Sequence, residues 1–247
     1  MPAGLVDMPG LAWIVAAACL AGIVRGFSGF GTAMVYLPVA GQWLTPFEAL
    51  TTLAAMDLVG PLPNVPRALR DGDPPDVLRL AAGLVLALPA GLLTLSLVPA
   101  EAFRYAVSLL ALGLLAVLAA GLRYHGPMSP RLVLGTGAAG GFLAGTAGMP
   151  GPPVILLYMA SPLPVSAIRA NTLLYLLLAD MALLAAMTLG GVLEPGALWL
   201  GLVLILPYTL ANIVGAALFR PDRARAYRTI AYGIIALSAL NGLPLFD

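Results

Sequence analysis

Along the chain, apolar runs alternate with short polar or glycine-rich breaks, and the length of each run sorts it. Crossing roughly 30 Å of hydrocarbon takes about 20 helical residues. By that ruler residues 10–24 and 32–44 fall short, and they flank Arg25-Gly26-Phe27-Ser28-Gly29-Phe30-Gly31. Residues 46–61 follow and lead into a loop rich in Arg and Asp, after which residues 78–98 and 103–122 form full-length spans on either side of Pro99-Ala100-Glu101. The second half repeats the order. Residues 132–144 are short and end in Gly145-Thr146-Ala147-Gly148-Met149-Pro150-Gly151-Pro152-Pro153, a short run reaches Ala160, and longer runs cover 165–189, 196–219 and 227–240.

Residue-by-residue matches support a duplication. Gly83-Leu84-Val85-Leu86-Ala87-Leu88-Pro89 resembles Gly201-Leu202-Val203-Leu204-Ile205-Leu206-Pro207 at an offset of 118, while Gly26 falls on Gly145 and Gly29 on Gly148 at 119. Phe103-Arg104 falls on Tyr227-Arg228 at 124, which requires an insertion near residues 221–226. The halves are then 1–125 and 126–247, in a single membrane domain. Short arginine-rich loops stay cytoplasmic. That rule puts Arg67, Arg70 and Arg79 inside, the Glu101 turn outside, Arg123 with Arg131 inside, the Glu194 turn outside, Arg220, Arg223, Arg225 and Arg228 inside, and both termini outside. The basic loop precedes the fourth element of the first half but follows that of the second, so the halves enter the membrane in opposite senses. The expectation is an all-α polytopic membrane protein of about eight spans, built from two inverted-topology repeats with glycine-broken helices, re-entrant or discontinuous.

Composition agrees: 61% of the residues are apolar and 9% charged, against about 25% charged in a soluble domain. All twelve basic residues are arginine and the formal charge is +1, too little for a nucleic-acid surface. One cysteine, Cys19, and one histidine, His125, exclude an intramolecular disulfide, a cysteine-cluster metal site and any constellation needing two histidines. The reading therefore assigns no catalytic residues, no metal and no cofactor, and expects no enzyme. Residues 1–10 carry no Lys or Arg ahead of the first apolar run, so the amino terminus is expected to be retained rather than cleaved as a signal peptide.

Non-helical backbone at membrane depth is tolerated only where it lines a cavity or is buried in protein. Glycine permits the turn and a close approach, and the helix that restarts aims free N–H groups at the cavity, which suits a small anion. Gly26, Gly29, Gly31, Gly145, Gly148 and Gly151 are accordingly candidate substrate-path residues; close helix packing is the competing reading. Charges in apolar segments need a reason. Arg25 either attracts an anion or snorkels to the interface, and Arg169, beside Asn171 and Thr172, either pairs an oxyanion bidentately or marks the cytoplasmic boundary. Asp57 and Asp180 are candidates to carry a proton or to balance an arginine. Glu48 reads as part of a capping box with Thr45 and Pro46. Ser28, Thr32 and Thr146 lie inside the breaks and are better candidates for substrate oxygens than Thr51 and Thr52. His125 gets no role.

Gly26-Phe27-x-Gly29-x-Gly31, then Gly145-x-x-Gly148-x-x-Gly151-Pro152-Pro153, then Ala167-Ile168-Arg169-Ala170-Asn171, and Leu206-Pro207 with Gly215 together resemble the TauE/SafE family of sulfite and organosulfonate exporters. The likeness runs from about Gly10 to Leu240, although the first break lacks the adjacent double glycine common in the family. The resemblance implies a multi-pass permease of the bacterial inner membrane that moves a small sulfur-containing or other organic anion past the paired breaks. Export suits an inside-negative membrane, where one charge gains about 2.3 kcal/mol per 100 mV on leaving. The alternatives are a proton-coupled importer using Asp57 or Asp180 and a non-transporting membrane enzyme or subunit. The apolar surface is compatible with a homodimer.

Overall fold

Helix starts written into the sequence set the architecture. Thr45 and Glu48 exchange side-chain and backbone hydrogen bonds in a complete capping box, Asp73 accepts the Asp76 N–H, Ser129 accepts the Leu132 N–H, and each cap is followed by proline. A computed structural model describes residues 8–121, 128–158, 161, 163–218 and 224–244. Within them lie α1 (Leu11–Ser28), α2 (Thr32–Ala40), α3 (Pro46–Asp57), α4 (Val65–Asp71, after a 3-10 turn at Leu62–Asn64), α5 (Pro74–Ser96) and α6 (Ala100–Ala119). They are followed by α7 (Pro130–Ala147), α8 (Gly151–Tyr158), α9 (Val165–Leu189), α10 (Pro195–Leu218) and α11 (Ala224–Gly242), with no strand among the described residues. Arg123, His125, Arg220, Arg223 and the boundary at residues 125 and 126 lie outside the described residues.

Among the described residues, four segments are long and apolar enough to cross a membrane: Pro74–Ser96, Ala100–Ala119, Ser166–Leu189 and Pro195–Leu218. Large apolar side chains such as Leu86, Leu93, Leu206 and Ile213 stand exposed on them, the surface a bilayer covers. Three helices differ from the expectation. The helices before the breaks run 18 residues each, because Gly26 and Gly145 remain helical. The loop rich in Arg and Asp contains α4, braced by Arg67 and Asp71 one turn apart at 3.3 Å.

The chain forms two compact units, each drawing on both sequence halves: Met1–Gly60, Val98–Ala119 and Val192–Asp247 make the first, Pro61–Leu97 and Ala120–Gly191 the second. In the first unit α1 lies along α10, α2 packs on α1, α3, α6 and α11, and α10 also meets α3. Glycines bring α1 and α10 together: a Cβ on Gly26 would lie 2.2 Å from the Asn212 carbonyl oxygen, and one on Gly215 2.3 Å from that of Ile23. In the second unit α7 lies along α5, with α8 and α9 against it and α4 against α9. A Cβ on Gly145 would lie 2.6 Å from the Leu88 oxygen, and one on Gly91 2.4 Å from that of Phe142.

These contacts share one frame. Ile23 and Phe142, like Gly26 and Gly145, are 119 residues apart; Gly91 and Gly215, like Leu88 and Asn212, are 124 apart. The starts of α1, α2 and α3 precede those of α7, α8 and α9 by 119 residues each. The heptapeptide match at 118 lies off this frame: Gly83 packs on Leu134 of α7, whereas Gly201 packs on Thr52 and Ala55 of α3. Repetition of small and branched apolar residues in lipid-facing helices produces such matches without equivalent neighbours.

Candidate functional site

The first break turns on two glycines. Gly29 ends α1 with φ 79° and returns its N–H to the Arg25 carbonyl at 2.7 Å, and Gly31 precedes α2 with φ 96°; at such angles a side chain is strained. Ser28 Oγ lies 2.6 Å from the Val24 carbonyl oxygen and 2.7 Å from that of Phe30, and accepts the Phe30 N–H at 3.3 Å. Its hydroxyl is engaged in closing the interrupted backbone.

Beside this turn four side chains from four helices of the first unit converge. Arg25, in the last turn of α1, donates from Nη1 to Asp57 Oδ2 at 2.8 Å and to Thr32 Oγ1 at 3.3 Å. Asp57 closes α3, and its other oxygen, Oδ1, accepts the hydroxyl of Tyr208 from α10. Thr32, the first residue of α2, lies 3.2 Å from the same phenol oxygen. The pair is withdrawn from solvent, with side chains 12% and 8% exposed, and Tyr208 is fully buried. Helix ends explain part of the arrangement. Arg25 complements the negative end of α1, whereas a carboxylate at the end of α3 faces its own helix's negative pole and needs the cation. Arginine and phenol, with Thr32 at the start of α2 beside them, thus hold the carboxylate between a cation and a hydroxyl and largely out of solvent. A second polar tie lies deeper, where Tyr36 of α2 donates to Thr52 Oγ1 of α3 at 2.9 Å. Thr51 and Thr52 are themselves buried against carbonyls of their own helix.

The second break, in the second unit, is built of less polar residues. Gly148 ends α7 with φ 63°, Pro152 and Pro153 open α8, and Gly151 is buried. Thr146 donates back to the Phe142 carbonyl at 2.9 Å, and Thr172 to that of Ile168 at 2.8 Å. Asn171 is fully buried: Oδ1 accepts the Asp73 N–H at 2.7 Å and Nδ2 donates to the Tyr158 hydroxyl at 3.0 Å. It thus ties the cap of α5 and the end of α8 to α9. Arg169, two positions earlier, is exposed, and Asp180 is buried further along α9. The hydroxyl of the fully buried Tyr175 has no hydrogen-bond partner among the described residues and points at Gly140 of α7.

Of the residues singled out from sequence, the structure gathers Arg25, Thr32 and Asp57 into one cluster and places Gly29, Gly31 and Gly148 at the positive-φ turns. Gly26 and Gly145 sit in helix contacts instead. Arg169, Asn171, Thr172 and Asp180 belong to the second unit. Tyr208 was missed, as were Tyr36 and Tyr158; a hydroxyl-bearing residue directly after Leu206-Pro207, within an apolar helix, was the available signal. Residues 14–242 match the family described as sulfite exporter TauE/SafE. No curated protein and no solved structure matches the chain.

Proposed function

The chain belongs to the sulfite exporter TauE/SafE family, and on that premise we propose that it exports a small oxyanion, sulfite or an organosulfonate, held at Arg25, Thr32 and Tyr208. The observation that carries this reading is the buried Arg25–Asp57 pair beside a glycine-broken helix, 2.8 Å apart with Tyr208 on the second carboxylate oxygen. A cation in an apolar segment attracts anions strongly because little water screens it. Direction follows from the potential: an inside-negative membrane drives an anion outward without a coupling ion. In this reading the carboxylate of Asp57 balances Arg25, which favours export over a proton-coupled importer.

The same reading treats the two units as copies of one inverted repeat that exchange their later helices, with α1 on α10 matched by α7 on α5. The frame of 119 and 124 residues supports it. Counting α1 with α2 and α7 with α8 as broken elements gives about eight spans, in a bacterial inner membrane with both termini outside and alternating access around the breaks.

The test is radiolabelled flux from proteoliposomes holding an inside-negative potential, with sulfite, sulfoacetate, taurine and acetate inside in turn. Efflux of sulfite or sulfoacetate, and not of zwitterionic taurine, is the expected outcome. Flux that runs only inward and only with external protons would reverse the assignment.

A further inference from the structure

We propose that the Asp57 carboxylate is a resident stand-in for the substrate, occupying the anion position between Arg25 and Tyr208 until a substrate oxyanion displaces it. The inference rests on the anion-transport reading and adds a competitor built into the same site.

The geometry supplies the first reason. Asp57 presents one oxygen to the guanidinium of α1 and the other to the phenol of α10, while Thr32 at the start of α2 touches both donors. A sulfite or sulfonate group offers the same two adjacent oxygens. The second reason is placement. Asp57 is the last residue of α3, where the chain turns at 58–60. A carboxylate at a helix end is held by its partners and not by a surrounding helix, so it is placed to move aside. The third reason is that packing does not require the cluster. In the 119 and 124 frame, the places of Arg25, Thr32, Asp57 and Tyr208 are taken in the second unit by Ala144, Gly151, Leu176 and Leu84. All four are buried, Leu84 and Leu176 within one apolar core, and α9 runs unbroken through Leu176. Equivalent helix contacts are thus made without any charge. A buried pair kept where apolar residues would pack as well points to function beyond stability.

Displacement makes the competitor measurable. In Asp57→Asn the cation and the phenol keep their places while the competing charge is gone. Sulfite should then bind the purified full-length protein at least tenfold more tightly than wild type, read as the concentration dependence of thermal stabilisation. In Asp57→Ala, added acetate or sulfite should fill the vacated position and restore the midpoint lost, and it should not do so in Arg25→Ala/Asp57→Ala. A purely structural ion pair gives the opposite: equal or weaker sulfite affinity in Asp57→Asn and no anion-specific rescue. Should a variant fold only with acetate or sulfite present, that supports the stand-in; failure to fold with or without anion counts against it. Wild-type flux separates the two levels. Sulfite efflux without an affinity gain in Asp57→Asn overturns the stand-in alone, whereas no flux of any oxyanion in wild type overturns the transport reading beneath it.

Discussion

Removing the Arg25 guanidinium leaves a buried carboxylate that keeps, among the described residues, the Tyr208 hydroxyl as its hydrogen-bond partner. Breaking such a pair from one side typically costs about 3–5 kcal/mol, while replacing both partners by apolar groups is often neutral. Arg25→Ala should therefore lower the thermal midpoint in detergent clearly. Arg25→Ala/Asp57→Leu, which carries the residues of the second unit into the first, should recover most of that loss and yet show no sulfite flux; a double variant that still transports would detach the cluster from function. At this scale the sequence was informative where charge met lipid. Arg25 and Asp57 stood out because each is costly in an apolar run, and Thr32 because it opens the element after the break. Tyr208 did not, since its partner lies 151 residues away and an aromatic side chain raises no alarm in a membrane helix. Asn171 was legible as polar but its donors and acceptor are already engaged by Asp73 and Tyr158.

Among the elements, the glycines divide into two kinds that a sequence motif cannot separate. Gly26 packs against the α10 backbone, so a methyl group there would overlap the Asn212 carbonyl; Gly29 faces open space but holds φ 79°. Overpacking costs about 1–3 kcal/mol and spreads to the neighbouring helix, whereas a left-handed residue costs about 1–2 kcal/mol locally. Gly26→Ala should lower the midpoint more than Gly29→Ala, and a larger add-back bulk, Gly26→Val, should lower it further; equal losses would argue that α1 and α10 have room to part. The breaks themselves were legible from glycine and proline. Their exact ends were not, because a glycine inside a helix and one that ends it look alike until the neighbour is known. The short α4 escaped notice because it is seven residues long and buries only Ala68, too little for an apolar period to emerge.

For the whole molecule, the alternation of apolar runs gave an all-helical membrane chain. What the chain order hides is that each compact unit draws on helices far apart in sequence, since α1 finds α10 and α5 finds α7 through long-range contacts that no local pattern encodes. The asymmetry between the units, a charged cluster in one and an apolar core in the other, was equally hidden, because it depends on which residues share a frame. The proposed handling of the anion by the first unit's cluster is tested by sulfite-evoked charge movement across proteoliposomes for wild type, Tyr208→Phe and Arg169→Ala. A hydrogen bond to a charged group contributes about 1.5–3 kcal/mol. The current should accordingly fall about tenfold or more in Tyr208→Phe and persist in Arg169→Ala, whose side chain is exposed on α9 of the second unit. An unchanged current in Tyr208→Phe, with loss in Arg169→Ala instead, would contradict the account and move the anion site to the second unit.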